Sequence, residues 1–329
     1  MKILQFIASK VWGGAEKSFA ELCNELSKSI QIEVVLFKEN KIEERLNENI
    51  KVYILSSGSS RYNPLLYLEI LRIIKKSNPD IIHTHSAKAS EIIYTLNKFV
   101  SIKQVATKRN PRKGSVFNKI NYVTAISKDV VRSIKREGVE LIYNGLLQET
   151  TMPVVSSNPV FTLLAVGGLD KIKGFDILIK EVSKLDFPFH LNIAGEGDER
   201  KNLENLIKNL GLSEKVSLLG HREDIPSLIS AADLVVICSH SEGFGRVIVE
   251  TLFYGKLIVS TRVGLSIEIL PEELLIDEFE IAKKISTIYA NEEQYDTLFT
   301  QVKKMRTKEF LLKNNIQNYI DYYERILKQ

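Results

Sequence analysis

Two doubly wound α/β domains, each on a parallel sheet, are the fold the sequence predicts, and three observations carry that prediction. Short β-rich runs alternate with amphipathic helical patterns along most of the chain, the sign of parallel strands joined by crossover helices. The length of 329 residues exceeds that of a usual single domain, and 44% hydrophobic content gives each of two domains apolar material for a core. Periodicity fails near residues 149–159, where QETTMPVVSSNPV gathers Thr, Ser and Pro, which places the domain boundary there.

In the first half, ILQFIA (3–8), IEVVLF (32–37), KVYIL (51–55), DIIHTH (80–85), KQVAT (103–107), YVTAI (122–126) and ELIYN (140–144) read as strands, being rich in β-branched and aromatic residues. Between the first two, Ala15, Phe19, Leu22 and Leu26 recur at helical spacing. FTLLAVG (161–167), FHLNIAG (189–195), KVSLLG (215–220), DLVVICS (233–239) and KLIVST (256–261) repeat the strand pattern in the second half. Beyond Pro271 the pattern turns entirely helical, and Leu312, Ile316, Tyr319, Tyr323 and Ile326 form one apolar stripe on the last helix.

Composition removes several classes. The opening MKILQFIA is too short an apolar run for a signal peptide, and no run approaches the roughly 18 apolar residues of a membrane span, so a cytoplasmic protein is expected. Cys23 and Cys238 lie far apart without metal spacing and read as reduced core residues. A net charge of +4 is unremarkable, but residues 98–119 hold Lys98, Lys103, Lys108, Arg109, Arg112, Lys113 and Lys119 with no acid. Such a stretch attracts phosphate-bearing partners or an anionic membrane surface, or is a solvated loop. It lacks the aromatic interleaving of a nucleic-acid platform, so no nucleic-acid partner is expected.

The most informative segment is SHSEGFGRVIVETLFYG, residues 239–255. An apolar strand runs into it, Gly243 and Gly245 clear side chains from the turn around Phe244, and a helix follows whose free N–H groups and dipole form an anion site. Glu242 stands before the first turn and Glu250 more than a turn along, a separation suited to an extended ligand such as a sugar nucleotide. The alternative is a helix cap at Glu242 and a solvated Glu250.

Four further features sit at strand ends. AVGGLDKIKGFDIL (165–178) offers a glycine turn at Gly167 and Gly168 and, at Lys173, an ammonium suited to phosphate oxygens. WGGAEKS (12–18) sets Gly13 and Gly14 between the first strand and its helix, where the backbone can approach a ligand. His83 and His85 end the strand DIIHTH and share a face. His83 reads as structural and His85, nearer the strand end, as the acceptor-site candidate. IAGEGDERKN (193–202) carries Gly195 and Gly197 but has Arg200 where a dinucleotide fingerprint needs its third glycine.

Taken in order, IASKVWGGAEKSFAELCNEL, HTHSAKAS, TAIS, IYNG, AVGGLDKIKGFDIL, IAGEGDERKNLENL, GHREDIPSLISAADLVV and the E-x7-E of Glu242 and Glu250 resemble the family 4 glycosyltransferases, retaining enzymes of the GT-B fold. The resemblance implies two Rossmann-like domains facing a cleft. Residues 1–150 would bind the acceptor, 151–305 the nucleotide sugar, and 306–329 form a helix crossing back to the N-terminal domain. It implies transfer from a nucleotide-diphosphate sugar, foremost a UDP-sugar, to a glycan or lipid-linked acceptor of the lipopolysaccharide or envelope type. The location is then the cytoplasm or the inner face of the cytoplasmic membrane. No D-x-D occurs, so no metal-bound diphosphate is indicated, and no cofactor is expected.

By the same resemblance Glu242, Lys173 and His85 take the catalytic positions. Gly14, Gly168, Lys173, Glu196, Arg222, Gly243, Phe244, Gly245 and Glu250 line the donor, and Gly13, His85, Lys108, Arg109 and Arg112 the acceptor. The chain departs from the family at Gly168, where an arginine usually accompanies the lysine. That departure keeps open a non-catalytic sugar- or nucleotide-binding protein, and a sugar-nucleotide epimerase on the same fold is the other alternative.

Overall fold

The computed structural model describes residues 1–9, 12–38, 40–112, 114–148 and 160–329. Lys113 and the boundary segment 149–159 lie outside the described residues. The chain divides into two compact units, Met1–Leu147 with Glu309–Gln329, and Gln148–Lys308.

The first unit runs β1 (Lys2–Ile7), α1 (Gly14–Leu26), β2 (Gln31–Phe37), β3 (Lys51–Leu55), α2 (Pro64–Ser77), β4 (Ile81–His85), α3 (Ser86–Leu96), β5 (Gln104–Lys108), β6 (Tyr122–Ala125), α4 (Lys128–Arg132) and β7 (Val139–Leu141). Its strands form one parallel sheet ordered β3-β2-β1-β4-β5-β6-β7. Alternation along β1 splits the core. Ile3 and Ile7 face a cluster with Phe19, Leu22 and Leu26 of α1, while Leu4 and Phe6 face Leu66 and Ile70 of α2 and Ile93 of α3. Both faces of the sheet are therefore covered by helices, which is why its strands read as near-continuous apolar runs. The last strand starts one residue before the expected ELIYN and ends at Leu141, because the Ile142 N–H bond to the Ala125 carbonyl closes the ladder.

The second unit runs β8 (Phe161–Val166), α5 (Phe175–Val182), β9 (Phe189–Ala194), α6 (Arg200–Asn209), β10 (Val216–Gly220), α7 (Ile225–Ala231), β11 (Leu234–Ile237), α8 (Arg246–Tyr254), β12 (Ile258–Thr261), α9 (Ser266–Ile269), β13 (Leu275–Ile276), α10 (Ile281–Ala290) and α11 (Glu292–Arg306). Its sheet is parallel and ordered β10-β9-β8-β11-β12-β13. β13 corrects the expectation of helix alone beyond Pro271. Two residues are too few to show a period, and it is pairing with Ser260 and Thr261 that makes them a strand.

The chain ends in α12 (Leu312–Leu327), which packs within the first unit. Its stripe of Leu312, Ile316, Tyr319, Tyr323 and Ile326 is buried in the cluster that holds Phe19 and Ile3. In each sheet the strand order reverses once, between β1 and β4 and between β8 and β11. Ligands of open α/β sheets bind at such switch points, outside the carboxyl ends of the strands.

Candidate active site

At the β8/β11 switch point, the loop after β8 and the loop after β11 are bonded into one surface. His240 N–H donates to the Ile172 carbonyl at 2.8 Å, and Cys238 Sγ to the Lys173 carbonyl at 3.1 Å. A side chain at Gly174, where φ is +66°, would overlap the Cys238 carbonyl oxygen, so glycine is what lets the loops meet. Across this surface Lys173 Nζ lies 2.6 Å from Glu242 Oε1, which also accepts from Ser239 Oγ at 2.9 Å. Thr261 Oγ1 holds the Ser239 carbonyl at 2.7 Å. Both charged side chains are partly exposed, 23% for Lys173 and 16% for Glu242, so the pair is fixed yet within reach of a ligand.

Gly245, at φ +80°, turns the chain into α8, with Phe244 buried and Gly243 half-buried beside it. Glu250 is buried, and Arg246 Nε donates to its Oε1 at 2.9 Å. This removes the solvated reading of Glu250. Arg246 was missed in the sequence, where the i,i+4 spacing of Arg and Glu was the available signal. The two loop glycines differ. A Cβ at Gly167 would press on the Lys173 stem at 3.0 Å, whereas one at Gly168 would meet only ordinary contacts, Asp170 Oδ2 at 3.5 Å and the Glu196 carbonyl at 3.8 Å. The backbone therefore has room for the arginine that this chain lacks.

Glu196 and Arg222 are each held locally. Arg200 Nη1 donates to Glu196 Oε1 at 2.5 Å, and Arg222 binds Asp224 at 2.6 and 2.8 Å. The Glu196 carboxylate lies beside Gly220 at the end of β10, two residues before Arg222. Gly195 packs against the Gly167 carbonyl and Gly197 against that of Leu169, so the G-x-G serves contact between the β9 and β8 loops.

At the β1/β4 switch point of the first unit, Gly13 caps α1 and Gly14 opens it, both exposed. His83 and His85 share a face, their ring centroids 4.1 Å apart. Both are fully buried. His85 Nδ1 lies 3.0 Å from Arg109 Nη2 and its Nε2 2.8 Å from Gln5 Oε1. A guanidinium only donates, so Nδ1 accepts and Nε2–H donates to Gln5. Gln5 Nε2 then donates to Tyr323 Oη at 3.3 Å, Tyr323 to His83 Nδ1 at 2.6 Å, and His83 Nε2 to Thr107 Oγ1 at 2.6 Å. One cation at Arg109 thus sets the direction of the whole chain. Burial first, then the neighbouring charge of Arg109, pushes the His83 pKa down to about 3. For His85 burial, His83 and Arg109 act the same way.

Two acceptor-site expectations need correction. His85, expected at an open strand end, has no exposed surface and both ring nitrogens engaged, by Arg109 and Gln5. Lys108 is buried, its Nζ donating to Ser133 Oγ at 2.8 Å, because β5 is covered on both faces. Arg109 is 7% exposed, reaches the Ala15 carbonyl at 3.4 Å, and leaves Nε with no partner among the described residues. Of the basic stretch, Lys98, Arg112 and Lys119 are exposed, and Lys103 donates to the Ile326 carbonyl at 2.7 Å.

A doubly wound unit with a lysine–glutamate pair at its switch point, and an E-x7-E entering a helix from a glycine turn, describes a glycosyltransferase. Residues 12–146 match the model of Glycosyltransferase Family 4 and residues 152–305 that of Glycosyl transferases group 1. The chain belongs to the family 4 glycosyltransferases and is a transferase. Its relatives include the lipopolysaccharide core biosynthesis glycosyltransferase LpsE of Rhizobium meliloti, 26% identical over 80% of this chain and 79% of that one. Another is the Campylobacter jejuni alpha-1,4-N-acetyl-D-galactosaminyltransferase acting on GalNAc-alpha-(1->4)-GalNAc-alpha-(1->3)-diNAcBac-PP-undecaprenol, 25% identical over 94% of each chain. Among solved structures, Anabaena HepE in complex with UDP-glucose superposes with a TM-score of 0.87 at 22% identity over the full length of both chains. Among the described residues no helix is long and apolar enough to cross a membrane.

Proposed function

We propose that the protein transfers a sugar from a UDP-sugar, with retention of anomeric configuration, to a glycan or lipid-linked acceptor in the synthesis of lipopolysaccharide or a related envelope glycan. The observation that carries this is the Lys173–Glu242 pair beside the start of α8. Lys173 is placed to neutralise the departing diphosphate together with the N–H groups at that helix start, a preorganised electrostatic device. No protein nucleophile is required. Glu242 then lies by the transferred sugar, and Glu250, oriented by Arg246, accepts from the ribose hydroxyls. Within the second unit Gly168, Glu196 and Arg222 line the rest of the donor, and within the first unit Gly13, Arg109 and Arg112 face the acceptor.

Support for the donor comes from Anabaena HepE, whose structures hold UDP and UDP-glucose. Support for the acceptor comes from the lipopolysaccharide core and undecaprenol-linked glycan enzymes among the relatives. The test is a thermal-shift screen of nucleotide sugars followed by turnover with and without candidate acceptors. A ligand of the native state at about 100 times its Kd adds about 2.7 kcal/mol of stability. A UDP-sugar should raise Tm and be consumed only when acceptor is present. Consumption without acceptor would indicate an epimerase, and no shift with any nucleotide sugar would overturn the donor assignment.

A further inference from the structure

The outer face of α2 exposes large apolar side chains that no described residue of the first unit covers. Leu65 is 63% and Leu68 51% exposed, Tyr62 just before the helix 87%, and Phe99 just after α3 80%. Soluble proteins scatter exposed apolar residues singly, so four together need a reason. They adjoin a groove of about 380 Å³ between α2 and α3, whose lining includes Tyr67, Leu68, Leu71, Leu96 and Phe99 beside Thr95.

Exposed cations outnumber acids on this face. Leu65, Leu68, Arg72 and Lys75 recur at steps of three and four, opposite the buried stripe of Leu66, Ile70, Ile73 and Ile74. Lys76 and Lys98 flank them, and all four cations are exposed. Each of the two helices carries one acid, and both acids are engaged. Glu69 accepts from the Ser56 and Ser57 N–H groups at 2.9 Å each, and Glu91 pairs with Arg61. The apolar residues hold the N-terminal half of α2 and the cations its C-terminal half.

We propose that α2 and the end of α3 dock on an anionic bilayer surface, with Tyr62, Leu65, Leu68 and Phe99 entering the acyl boundary and Arg72, Lys75, Lys76 and Lys98 lying among the headgroups. Interfacial helices bind in this way, by apolar area buried just below the headgroups plus attraction between cations and anionic lipid. Of the occupants an apolar face admits, the bilayer is the one that matches a cationic rim without free acids. Docking there would hold the enzyme on the membrane in which a lipid-linked acceptor sits. The surface differs from the basic stretch at 98–119, of which it uses only Lys98.

Co-sedimentation with vesicles of phosphatidylcholine, with and without phosphatidylglycerol, tests the proposal without any turnover, so its failure is separate from failure of the proposed reaction. Wild type should bind the anionic vesicles, release at high salt, and bind phosphatidylcholine alone weakly. The triple variant Arg72→Glu, Lys75→Glu, Lys76→Glu should bind at least about 10²-fold more weakly, at about fivefold per lost cation. Leu65→Ser, Leu68→Ser and Phe99→Ser together should lose binding even at low salt, with UDP-sugar binding and Tm unchanged because the side chains are exposed. Lys119→Glu, at an exposed cation of the other basic stretch, serves as the control and should bind as wild type does. Absence of wild-type binding, equal binding to neutral vesicles, or undiminished binding by either triple variant would overturn the proposal. So would a concentration-dependent dimer that the apolar variant abolishes in a protein that ignores vesicles, which would assign the face to a second copy.

Discussion

Lys173→Ala should separate structural from chemical roles at the donor site. The Lys173–Glu242 pair is partly exposed, between surface pairs worth about 0–1 kcal/mol and buried pairs whose breakage costs about 3–5 kcal/mol. Glu242 keeps its bond from Ser239, so the loss of stability should be about 1–2 kcal/mol. That is a fall in Tm of roughly 2–8 °C for a unit of this size. The kinetic loss should be larger. With Gly168 supplying no charge, Lys173 is the cation proposed to meet the developing diphosphate, and removing one such group costs about 10²-fold or more in kcat, ~2.7 kcal/mol. UDP release measured at saturating donor and acceptor gives kcat, and the same preparation gives Tm. Introducing Gly168→Arg into the Lys173→Ala background should recover about tenfold of the loss, because a Cβ at 168 meets only ordinary contacts. A folded Lys173→Ala enzyme that loses less than about threefold, while alanine at Lys171, the exposed lysine two residues earlier on the same loop, is crippling, would refute the assignment of the cation.

Other consequences are as direct. Glu250→Gln keeps the buried shape but loses the charge that Arg246 orients, so donor KM should rise about tenfold or more with a smaller change in kcat, and an unchanged KM would remove Glu250 from the ribose site. Gly195→Ala drives a methyl group into the Gly167 carbonyl and should cost more than about 2 kcal/mol in urea unfolding, against almost nothing for Gly168→Ala. The buried histidines make stability depend on pH: their folded pKa values are depressed, His83 to about 3, while the unfolded chain titrates near 6.5. Stability is thus complete above pH 6.5 and falls as pH drops toward about 3, at about 1.4 kcal/mol per pH unit for each imidazole. Urea midpoints at about pH 7.5 and about pH 5 should show this fall, and His83→Gln should remove part of it; equal midpoints for the wild type would contradict a neutral buried pair.

What the sequence by itself determined follows from periodicity and local turn chemistry. Short runs rich in β-branched residues located most of the strands, a period of 3.6 located the stripe of α12, and the glycine turns at strand ends located the loops bearing Lys173, Glu242 and Gly13. Such signals are local, because a strand end and the turn after it are neighbours in the chain. What only the tertiary structure decided is the environment of each polar side chain. Lys108 and Arg109 belong to a run that reads as a charged loop, yet both are buried, because helices cover both faces of β5 and leave its end no solvent. Glu250 is buried against Arg246, and His85 is enclosed between Gln5 and Arg109, partners 80 and 24 residues away. β13 exists only because β12 offers it a ladder. The exposed side of α2 was illegible for the converse reason: apolar character favours burial without saying which apolar residues find a neighbour, and Leu65 and Leu68 stay exposed while Leu66 and Ile70 are covered.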